Sequence, residues 1–447
     1  MPETARWRVA GVAGVILLAI STPARPGESS SWTFDFGAGT PATGHTAVTP
    51  DTRYSHDTGF GLEGAGDVSS WQTEATDDRR ATGLVGAAPF LLSAAVPEGI
   101  YDVTVTLGHP SKPTAVTVKA EARRLMVHNV RLEPGEFATR TFTVAVKRPL
   151  LASGKRINLK PSQPACNWDE KLTLEFNGSA PSVVAVQIEP AQDPVNVFLA
   201  GDSTVTDQDG AVFTGWGQML PRFFKPGVAV TNSGQSGDSL RSFRGNGLLD
   251  RIWETARPGD YLFIQFGHND QKDQREGAGA FTSYKENLED YVAAARKRQL
   301  TVVLVTPMER RRFEGRVPQA TLADYAEAVR QVGREQTVPV IDLNAASLQL
   351  YATLGPEGTK RVFLDYPAGT APDGRKEPVV DNSHFDNYGG YELARIVATG
   401  ISETLPELRG LLCADFEPFD PTQPDDIVAV ALPLSPVAPP AATPEGS

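Results

Sequence analysis

The sequence predicts an α/β domain with a parallel sheet, preceded by a smaller β-sandwich domain. Two observations lead to this fold class. Between Trp32 and about Pro190, short runs of β-prone residues are separated by Pro, Gly and Asn, and no helical period stands out. After Pro194, apolar strands alternate with helical stretches, the order that covers a parallel sheet with helices on both faces. A chain of 447 residues is long enough for both cores.

The β-rich part contains four runs that alternate as half-buried strands should. They are residues 100–107, 115–119, 139–146 and 172–176. Because turn residues separate them, we expect an antiparallel β-sandwich over residues 29–192.

The α/β part covers residues 193–412. Its strand candidates are residues 195–199, 228–230, 261–265, 301–305 and 338–341. Ser283 and Glu286 predict a capping box at the start of one helix. The apolar face of that helix is Leu288, Tyr291, Val292 and Ala295. The apolar face of the next is Leu322, Tyr325, Val329 and Val332, and the last helix runs from about residue 388 to 404.

The two ends of the chain are predicted to lie outside these domains. Arg6 and Arg8 precede an apolar run at residues 9–20 and small residues near Ala24, which is typical of a secretion signal over residues 1–28. An uncleaved anchor is the alternative, although the run is shorter than the roughly 20 residues that span a bilayer. We therefore expect a secreted protein, extracellular or periplasmic, with no membrane contact after signal cleavage. Residues 413–447 form a proline-rich tail with little expected order, in which residues 427–432 could add a strand.

Composition narrows the function further. The formal net charge of −12 argues against nucleic acid and against anionic membranes as partners. Cys166 and Cys413 are the only cysteines, and they could bridge the two domains or both remain thiols. Neither CxxC nor zinc-site spacing is present, so the sequence implies no metal and no cofactor.

Polar groups follow the first three strands of the α/β part. Ser203 follows the first strand on a turn, Gly237 follows the second, and Asn269 follows the third. The carboxyl edge of a parallel sheet is where ligands bind. Ester hydrolysis needs a nucleophile, a base and hydrogen-bond donors for the oxyanion. Ser203 is a candidate nucleophile, and Gly237 and Asn269 are candidate donors.

The small number of histidines narrows the choice of general base. The α/β part has only His268 and His384. Asp381 stands three residues before His384, a spacing that lets a carboxylate reach Nδ1 while Nε2 points at the serine. An Asp-x-x-His is by itself more typical of a helix cap, so the prediction depends on the whole set of groups lying on loops at one sheet edge.

These blocks resemble those of the SGNH, or GDSL-like, hydrolases. The similar segments are Gly201-Asp-Ser-Thr204, Gly237, Gly267-His-Asn-Asp270 and Asp381-Asn-Ser-His384. The first and third blocks and residues 232–243 are most similar to the rhamnogalacturonan acetylesterase branch. Phe34-Asp-Phe-Gly37 and Pro50-Asp-Thr-Arg-Tyr54 resemble the galactose-binding-like β-domain that precedes many bacterial members. The resemblance implies the three-layer SGNH fold.

The resemblance also implies residue roles. Ser203 would be the nucleophile, His384 the general base and acid, and Asp381 the group that orients it. Asn269 and the backbone N–H groups of Ser203 and Gly237 would form the oxyanion hole. One departure is Asp238, which stands where the fungal relatives often carry arginine. A carboxylate there would repel an anionic galacturonan chain, so the departure puts the substrate in doubt.

Three residues are candidates for substrate binding, each with an alternative. His268 could line the substrate pocket or only hydrogen-bond within its loop. Trp216 could stack on a sugar face, although a core tryptophan is commoner. Arg310, in the run Arg310-Arg-Arg312, could meet uronate carboxylates or form a solvated face.

The resulting prediction is a secreted serine esterase that removes acetyl groups from plant cell-wall polysaccharide, above all rhamnogalacturonan. The alternatives are an esterase acting on another acetylated glycan or a lipid, and a non-catalytic carbohydrate-binding protein. All candidate reacting groups lie after Gly201. We therefore expect the β-domain to assist by packing or by holding polymer, and a fragment starting near Gln192 to keep activity on small esters.

Overall fold

The computed structural model describes residues 30–64, 67–73, 81–208 and 212–436. The predicted secretion signal, residues 1–28, lies outside these ranges. Within them, none of the helices is both long and apolar enough to cross a membrane.

The first domain is a sandwich of two sheets. Its strands are β1 Trp32–Phe36, β2 Thr46–Val48, β3 Phe60–Glu63, β4 Val68–Gln72, β5 Thr82–Gly86, β6 Phe90–Ala95, β7 Gly99–Gly108, β8 Thr114–Ala120, β9 Arg124–Leu132, β10 Phe137–Val146, β11 Lys171–Ser179 and β12 Ser182–Pro190. One sheet has the order β10-β7-β12-β1-β2 with β5 and β4 attached through β12, and the other has the order β3-β6-β11-β8-β9. All pairs are antiparallel except β1 with β2. The four predicted strands are confirmed as β7, β8, β10 and β11.

The second domain contains the predicted parallel sheet. Its strands are β13 Val195–Gly201, β14 Val228–Asn232, β15 Tyr261–Gln265, β16 Thr301–Val305 and β19 Val340–Ile341, and two hairpin pairs lie outside it, β17 Phe313–Glu314 with β18 Val317–Pro318 and β20 Phe363–Tyr366 with β21 Val379–Phe385. The order is β14-β13-β15-β16-β19, and every neighbouring pair is parallel. Because β13 lies between β14 and β15, the loops after these three strands meet at one place on the carboxyl edge.

Helices cover both faces of this sheet. They are α1 Trp216–Met219, α2 Leu240–Gly245, α3 Leu248–Thr255, α4 Lys285–Arg296, α5 Ala323–Gln336, α6 Leu343–Gly358, α7 Asn387–Thr404, α8 Pro406–Arg409 and α9 Ile427–Val430. Successive residues of β13 point to opposite faces, as a strand requires. Leu199 joins the core under α6 and α7, whereas Phe198 joins the core under α4 and α5. The predicted apolar faces of α4 and α5 are buried as expected.

The predicted capping box at the start of α4 is wrong. The residue before α4 is Tyr284, which makes no capping hydrogen bond through its side chain, and a π-helical turn at Ala280–Tyr284 leads into the helix. The Ser283 hydroxyl instead accepts a hydrogen bond from the Gly279 amide at 3.4 Å. An extra turn that joins the helix from the N-terminal side removes the free amides that a capping box would satisfy.

The C-terminal segment also differs from its prediction. Residues 413–436, here called the C-terminal strap, pack against both domains, and residues 427–430 form the helix α9 instead of a strand. The Tyr388 hydroxyl donates to the carbonyl of Asp425 at 2.8 Å. Lys119 of the β-domain donates to the carbonyl of Pro433 and to the hydroxyl of Ser435, both at 2.7 Å. Cys166 and Cys413 both remain thiols.

The connection between β10 and β11, residues 147–170, leaves the sandwich and lies against the α/β domain. Ile157 and Trp168 of this connection belong to the same buried cluster as Phe198 of β13. The Asn158 amide donates to the carbonyl of Asn246 at 2.8 Å. Part of the chain that precedes the α/β domain in sequence therefore belongs to its core.

Candidate active site

Ser203 lies on a sharp turn two residues after β13. The turn requires Gly201, because a Cβ there would stand 2.4 Å from a methyl group of Val205. The buried carboxylate of Asp202 accepts hydrogen bonds from the backbone N–H of Thr204 at 3.0 Å and from its hydroxyl at 2.6 Å. These bonds fix the turn, and Ser203 keeps only 8% of its surface exposed.

His384 joins Ser203 to Asp381. Its Nε2 lies 2.9 Å from Oγ of Ser203, and its Nδ1 lies 2.7 Å from Oδ2 of Asp381. The other oxygen of Asp381 accepts the backbone N–H groups of Ser383 at 2.8 Å and of His384 at 3.0 Å. Aspartate and histidine both lie on the strand β21, whereas the sequence placed them on a loop. The three residues have the order that base-assisted attack by a serine hydroxyl needs.

The electrostatics of Asp381 favour its ionised form. Burial by itself raises the pKa of this carboxyl, but the hydrogen bond and the charge of His384, together with the two backbone N–H groups, outweigh burial. The pKa of Asp381 is therefore lowered to about 2. An ionised carboxylate at Nδ1 keeps the proton on that nitrogen and leaves Nε2 free to accept one.

The predicted oxyanion donors surround one pocket. Ser203, Gly237 and Asn269 all line a cavity of about 350 Å³ together with His384. Gly237 has a φ of +74°, a left-handed conformation that favours glycine. One N–H of the Asn269 amide donates to the carbonyl of Asp238 at 3.0 Å, and its Oδ1 accepts from Nζ of Lys272 at 3.0 Å. These two bonds set the orientation of the amide, and its second N–H is left for a ligand.

Two of the three predicted substrate-binding residues line this pocket. His268 is there, with Nδ1 3.6 Å from Oδ2 of Asp202, and neither of its ring nitrogens has a hydrogen-bond partner among the described residues. Arg310 is there as well, and its guanidinium donates to the carbonyl of His268 at 3.1 Å and to Gln271 at 2.7 Å. Both side chains lie at the wall of the pocket, and hydrogen bonds hold the guanidinium of Arg310 there.

The prediction for Trp216 is wrong. The indole is 1% exposed in the core under α7, and its N–H donates to Oε1 of Gln265 at 2.7 Å. Since both its face and its polar atom are occupied inside the domain, Trp216 has no surface to offer a sugar. The core alternative is the correct one.

The concern about Asp238 is also removed. Its side chain is fully buried and forms an ion pair with Lys160, 2.5 Å between Oδ1 and Nζ. Gln235, Ser242 and Asn246 donate further hydrogen bonds to the same carboxylate. A neutralised carboxylate that points into the protein presents no negative charge to a substrate.

Sequence reasoning missed two lysines. Lys272 lines the pocket and follows Asn269 by three residues, so the position of that loop at the sheet edge could have identified it. Lys160 is contributed by the β10–β11 connection, far from the blocks in sequence, and no local pattern marks it. No group of three or more His, Cys, Asp or Glu side chains suited to a metal occurs within residues 30–64, 67–73, 81–208 and 212–436.

A parallel sheet between helices, with serine, histidine and aspartate hydrogen-bonded in series at its carboxyl edge, defines the class of serine acylhydrolases. Comparison with known proteins agrees. The GDSL-like lipase/acylhydrolase family matches residues 199–372, a range that includes Ser203, Gly237 and Asn269 and ends before Asp381. The galactose-binding-like domain of β-agarase and YXIM esterase-like proteins matches residues 32–149. The chain belongs to the GDSL-like lipase/acylhydrolase family and carries an N-terminal galactose-binding-like domain.

Two relatives from Bacillus subtilis are similar to this chain. The rhamnogalacturonan acetylesterase RhgT is 41% identical over 214 residues, which are 47% of this chain and 90% of the relative. The uncharacterized esterase YxiM is 28% identical over 351 residues, which are 76% of this chain and 85% of the relative. The crystal structure of YxiM superposes with a TM-score of 0.43 at 25% identity, and it covers 83% of this chain and 98% of that one.

Proposed function

We propose that this enzyme removes acetyl groups from an acidic plant cell-wall polysaccharide, rhamnogalacturonan in the first instance. The observation that carries the proposal is the pocket itself. Ser203 and His384 open into a cavity whose charged lining residues are Lys272 and Arg310, while no Asp or Glu side chain lines it among the described residues. In a protein with a net charge of −12, such a lining favours a substrate with uronate carboxylates beside the ester. The resemblance of RhgT, named as a rhamnogalacturonan acetylesterase, supports the same substrate.

The proposed reaction uses two acyl transfers. Oγ of Ser203 attacks the acetyl carbonyl while Nε2 of His384 accepts its proton, and the carbonyl oxygen becomes an oxyanion. The backbone N–H groups of Ser203 and Gly237 and the amide of Asn269 stabilise that oxyanion. When the carbon–oxygen bond to the sugar breaks, His384 returns the proton to the sugar oxygen and leaves Ser203 acetylated. Water, deprotonated by His384, then attacks the acetyl-enzyme, and acetate and the serine hydroxyl are released.

Acetate release from a panel of substrates tests this function. We expect release from acetylated rhamnogalacturonan and turnover of p-nitrophenyl acetate by the full chain. Ser203→Ala should lower both by about a million-fold, as loss of a triad nucleophile does. Ser153→Ala, which changes an exposed serine of the β10–β11 connection, is the matched control. A Ser203→Ala variant with normal activity would disprove the mechanism.

A charge variant tests the substrate class. The double variant Lys272→Gln/Arg310→Gln should lower kcat/KM on acetylated rhamnogalacturonan about 5- to 10-fold more than on neutral acetylated xylan, because two partly exposed ion pairs are lost. Any change in the oxyanion donors affects both substrates alike. The ratio of the two losses in kcat/KM therefore reports charge recognition alone. Lys297→Gln, at the C-terminal end of α4 on the opposite edge of the sheet, is the control. Equal losses on both polymers would argue against uronate recognition.

We further propose that the protein is secreted, because its N-terminal sequence is typical of a signal and its substrate is a polymer outside the cell. N-terminal sequencing of the active protein recovered from the native host's medium or periplasm tests this. A mature N-terminus near residue 28 would support the proposal, and an intact Met1 on protein retained in the cytoplasm would contradict it.

A further inference from the structure

The turn that carries Gly237 contains a carboxylate that cannot be solvated. Asp238 is fully buried, and three neutral donors of the same domain reach it, Gln235 at 3.1 Å, Ser242 at 2.9 Å and Asn246 at 3.1 Å. Neutral hydrogen bonds do not cancel the charge. A buried carboxylate one residue from the predicted oxyanion hole would oppose the negative charge that forms there during attack.

The cation that balances Asp238 comes from the connection between β10 and β11. Nζ of Lys160 lies 2.5 Å from Oδ1 of Asp238 and donates to the carbonyl of Ser236 at 3.0 Å. The backbone N–H of Lys160 donates to Oε1 of Gln235 at 2.9 Å. Lys160 therefore contacts three of the four residues of the turn 235–238. A Cβ added to Gly237 would stand 3.2 Å from the same Nζ, so the ammonium packs directly against the glycine as well.

The same turn sets the position of the second donor. The carbonyl of Asp238 accepts the hydrogen bond that orients the Asn269 amide. Asp238 is bonded directly to Gly237, whose backbone N–H is one predicted oxyanion donor. The carbonyl of Asp238 fixes the amide of Asn269, which is another. A shift of this single residue would move both donors together.

We propose that Lys160, a residue of the connection between β10 and β11, is a positioning residue for the oxyanion hole. It holds the 235–238 turn in place and cancels the charge of Asp238. This inference rests on the proposed esterase function. It assigns the N-terminal half of the chain a part in transition-state stabilisation, beyond packing and polymer binding.

The first test is a split between kcat and KM on p-nitrophenyl acetate. Lys160→Met should lower kcat by about 10- to 100-fold, because a displacement of catalytic groups by 1 Å can cost that much, and leave KM within about two-fold. Lys160→Arg keeps the charge and should recover most of the loss. Lys155→Met, in the same connection and exposed, is the matched control and should match the unmodified chain. An unchanged kcat in Lys160→Met would overturn the inference.

The second test asks whether Lys160 acts through Asn269. In an Asn269→Ala background the oxyanion hole is already damaged, so Lys160→Met should cost much less than it does in the unmodified chain. If Lys160→Met lowered kcat by the same factor in both backgrounds, its effect would be a general structural one and the inference would be overturned.

If Lys160→Met does not fold, the paired variant Lys160→Met/Asp238→Asn removes both charges together. It is compared with Asp238→Asn alone and should show a lower kcat, since the turn has lost its ammonium contact, whereas equal kcat values would overturn the inference.

These outcomes are separable from failure of the proposed function. If the unmodified chain releases no acetate and turns over no ester, the proposed function fails. If the unmodified chain is active and Lys160→Met equals it, only the positioning role fails.

Discussion

Arg124 and Asp207 form an ion pair across the two domains, with 2.7 Å between Nε and Oδ2 and with both side chains 1% exposed. Asp207 follows Ser203 by four residues. Its other oxygen accepts a hydrogen bond from the Asn232 side chain at 2.8 Å, at the end of β14. The Nζ of Lys147 also donates to the carbonyl of Asn232. The sandwich thus holds the start of both loops that follow β13 and β14.

This contact reverses the expectation for a fragment starting near Gln192. Such a fragment loses Arg124, the cation of a buried pair, and exposes core that residues 147–170 now cover. We expect the fragment to be insoluble or inactive on p-nitrophenyl acetate. Full activity in a soluble fragment would contradict this.

The same contact can be probed in the full chain. Arg124→Met should lower the midpoint of thermal unfolding clearly, because it leaves Asp207 buried without its ion-pair partner. Arg140→Met, on an exposed position of β10, should leave the midpoint unchanged. Thermal unfolding followed by circular dichroism gives both values, and equal midpoints would show that the ion pair contributes little.

Asn269→Ala should lower kcat and leave KM nearly unchanged. The amide is proposed to donate to an oxyanion that exists only after attack begins, so its loss should be felt in the transition state. The expected fall is about 10²- to 10³-fold, or roughly 3–4 kcal/mol. Steady-state kinetics on p-nitrophenyl acetate measure it. A change confined to KM would mean that Asn269 binds the substrate instead.

The acidic limb of the pH–rate profile should have a limiting slope of one. A protonated His384 cannot accept the serine proton, so kcat/KM falls as pH falls. Asp381 adds no second slope above about pH 3, because its pKa of about 2 keeps it ionised there. Asp381→Asn should lower kcat by about 10⁴-fold, since it favours the wrong tautomer of His384. A limiting slope of two above pH 3 would show that Asp381 titrates with the base.

Asp270 should make folding stability depend on pH. Burial raises its pKa to about 7, while the Leu240 backbone N–H, a donor at 3.0 Å, lowers it in part. A carboxyl with a raised pKa is protonated in the folded state and ionised in the unfolded state between about pH 4 and 7. Its contribution to stability is therefore lost as pH rises through that window. Asp270→Asn should raise the unfolding midpoint more at pH 8 than at pH 5. The exposed Asp290→Asn is the control, and a pH-independent difference would contradict the prediction.

The sequence was most informative where burial is complete. The strand at Tyr261–Gln265 was predicted with its observed bounds, because a parallel strand covered on both faces is a continuous apolar run. Ser203, Asp381 and His384 were also brought together as predicted. The order of strands and helices along the chain determines where these residues lie in the fold, and that order can be read from the sequence.

Two of the failures share a physical cause, since both depend on contacts from distant parts of the chain. Asp238 was interpreted as a charge facing the substrate, but its partner Lys160 is 78 positions away in sequence. Trp216 was a candidate for sugar stacking, and only its packing against the core under α7 shows otherwise. A local sequence pattern identifies a candidate residue. The direction of its side chain depends on tertiary contacts with residues that are distant in sequence.

The C-terminal strap has a consequence for how the chain unfolds. Lys119 in the first domain is 2% exposed, and two of its partners belong to residues near the end of the chain. Residues that follow the whole α/β domain in sequence therefore complete the packing of the first domain. Two units with separate cores should then lose structure in one cooperative transition, and the sandwich reaches its final stability only after residues 433–435 have been translated and have packed against it.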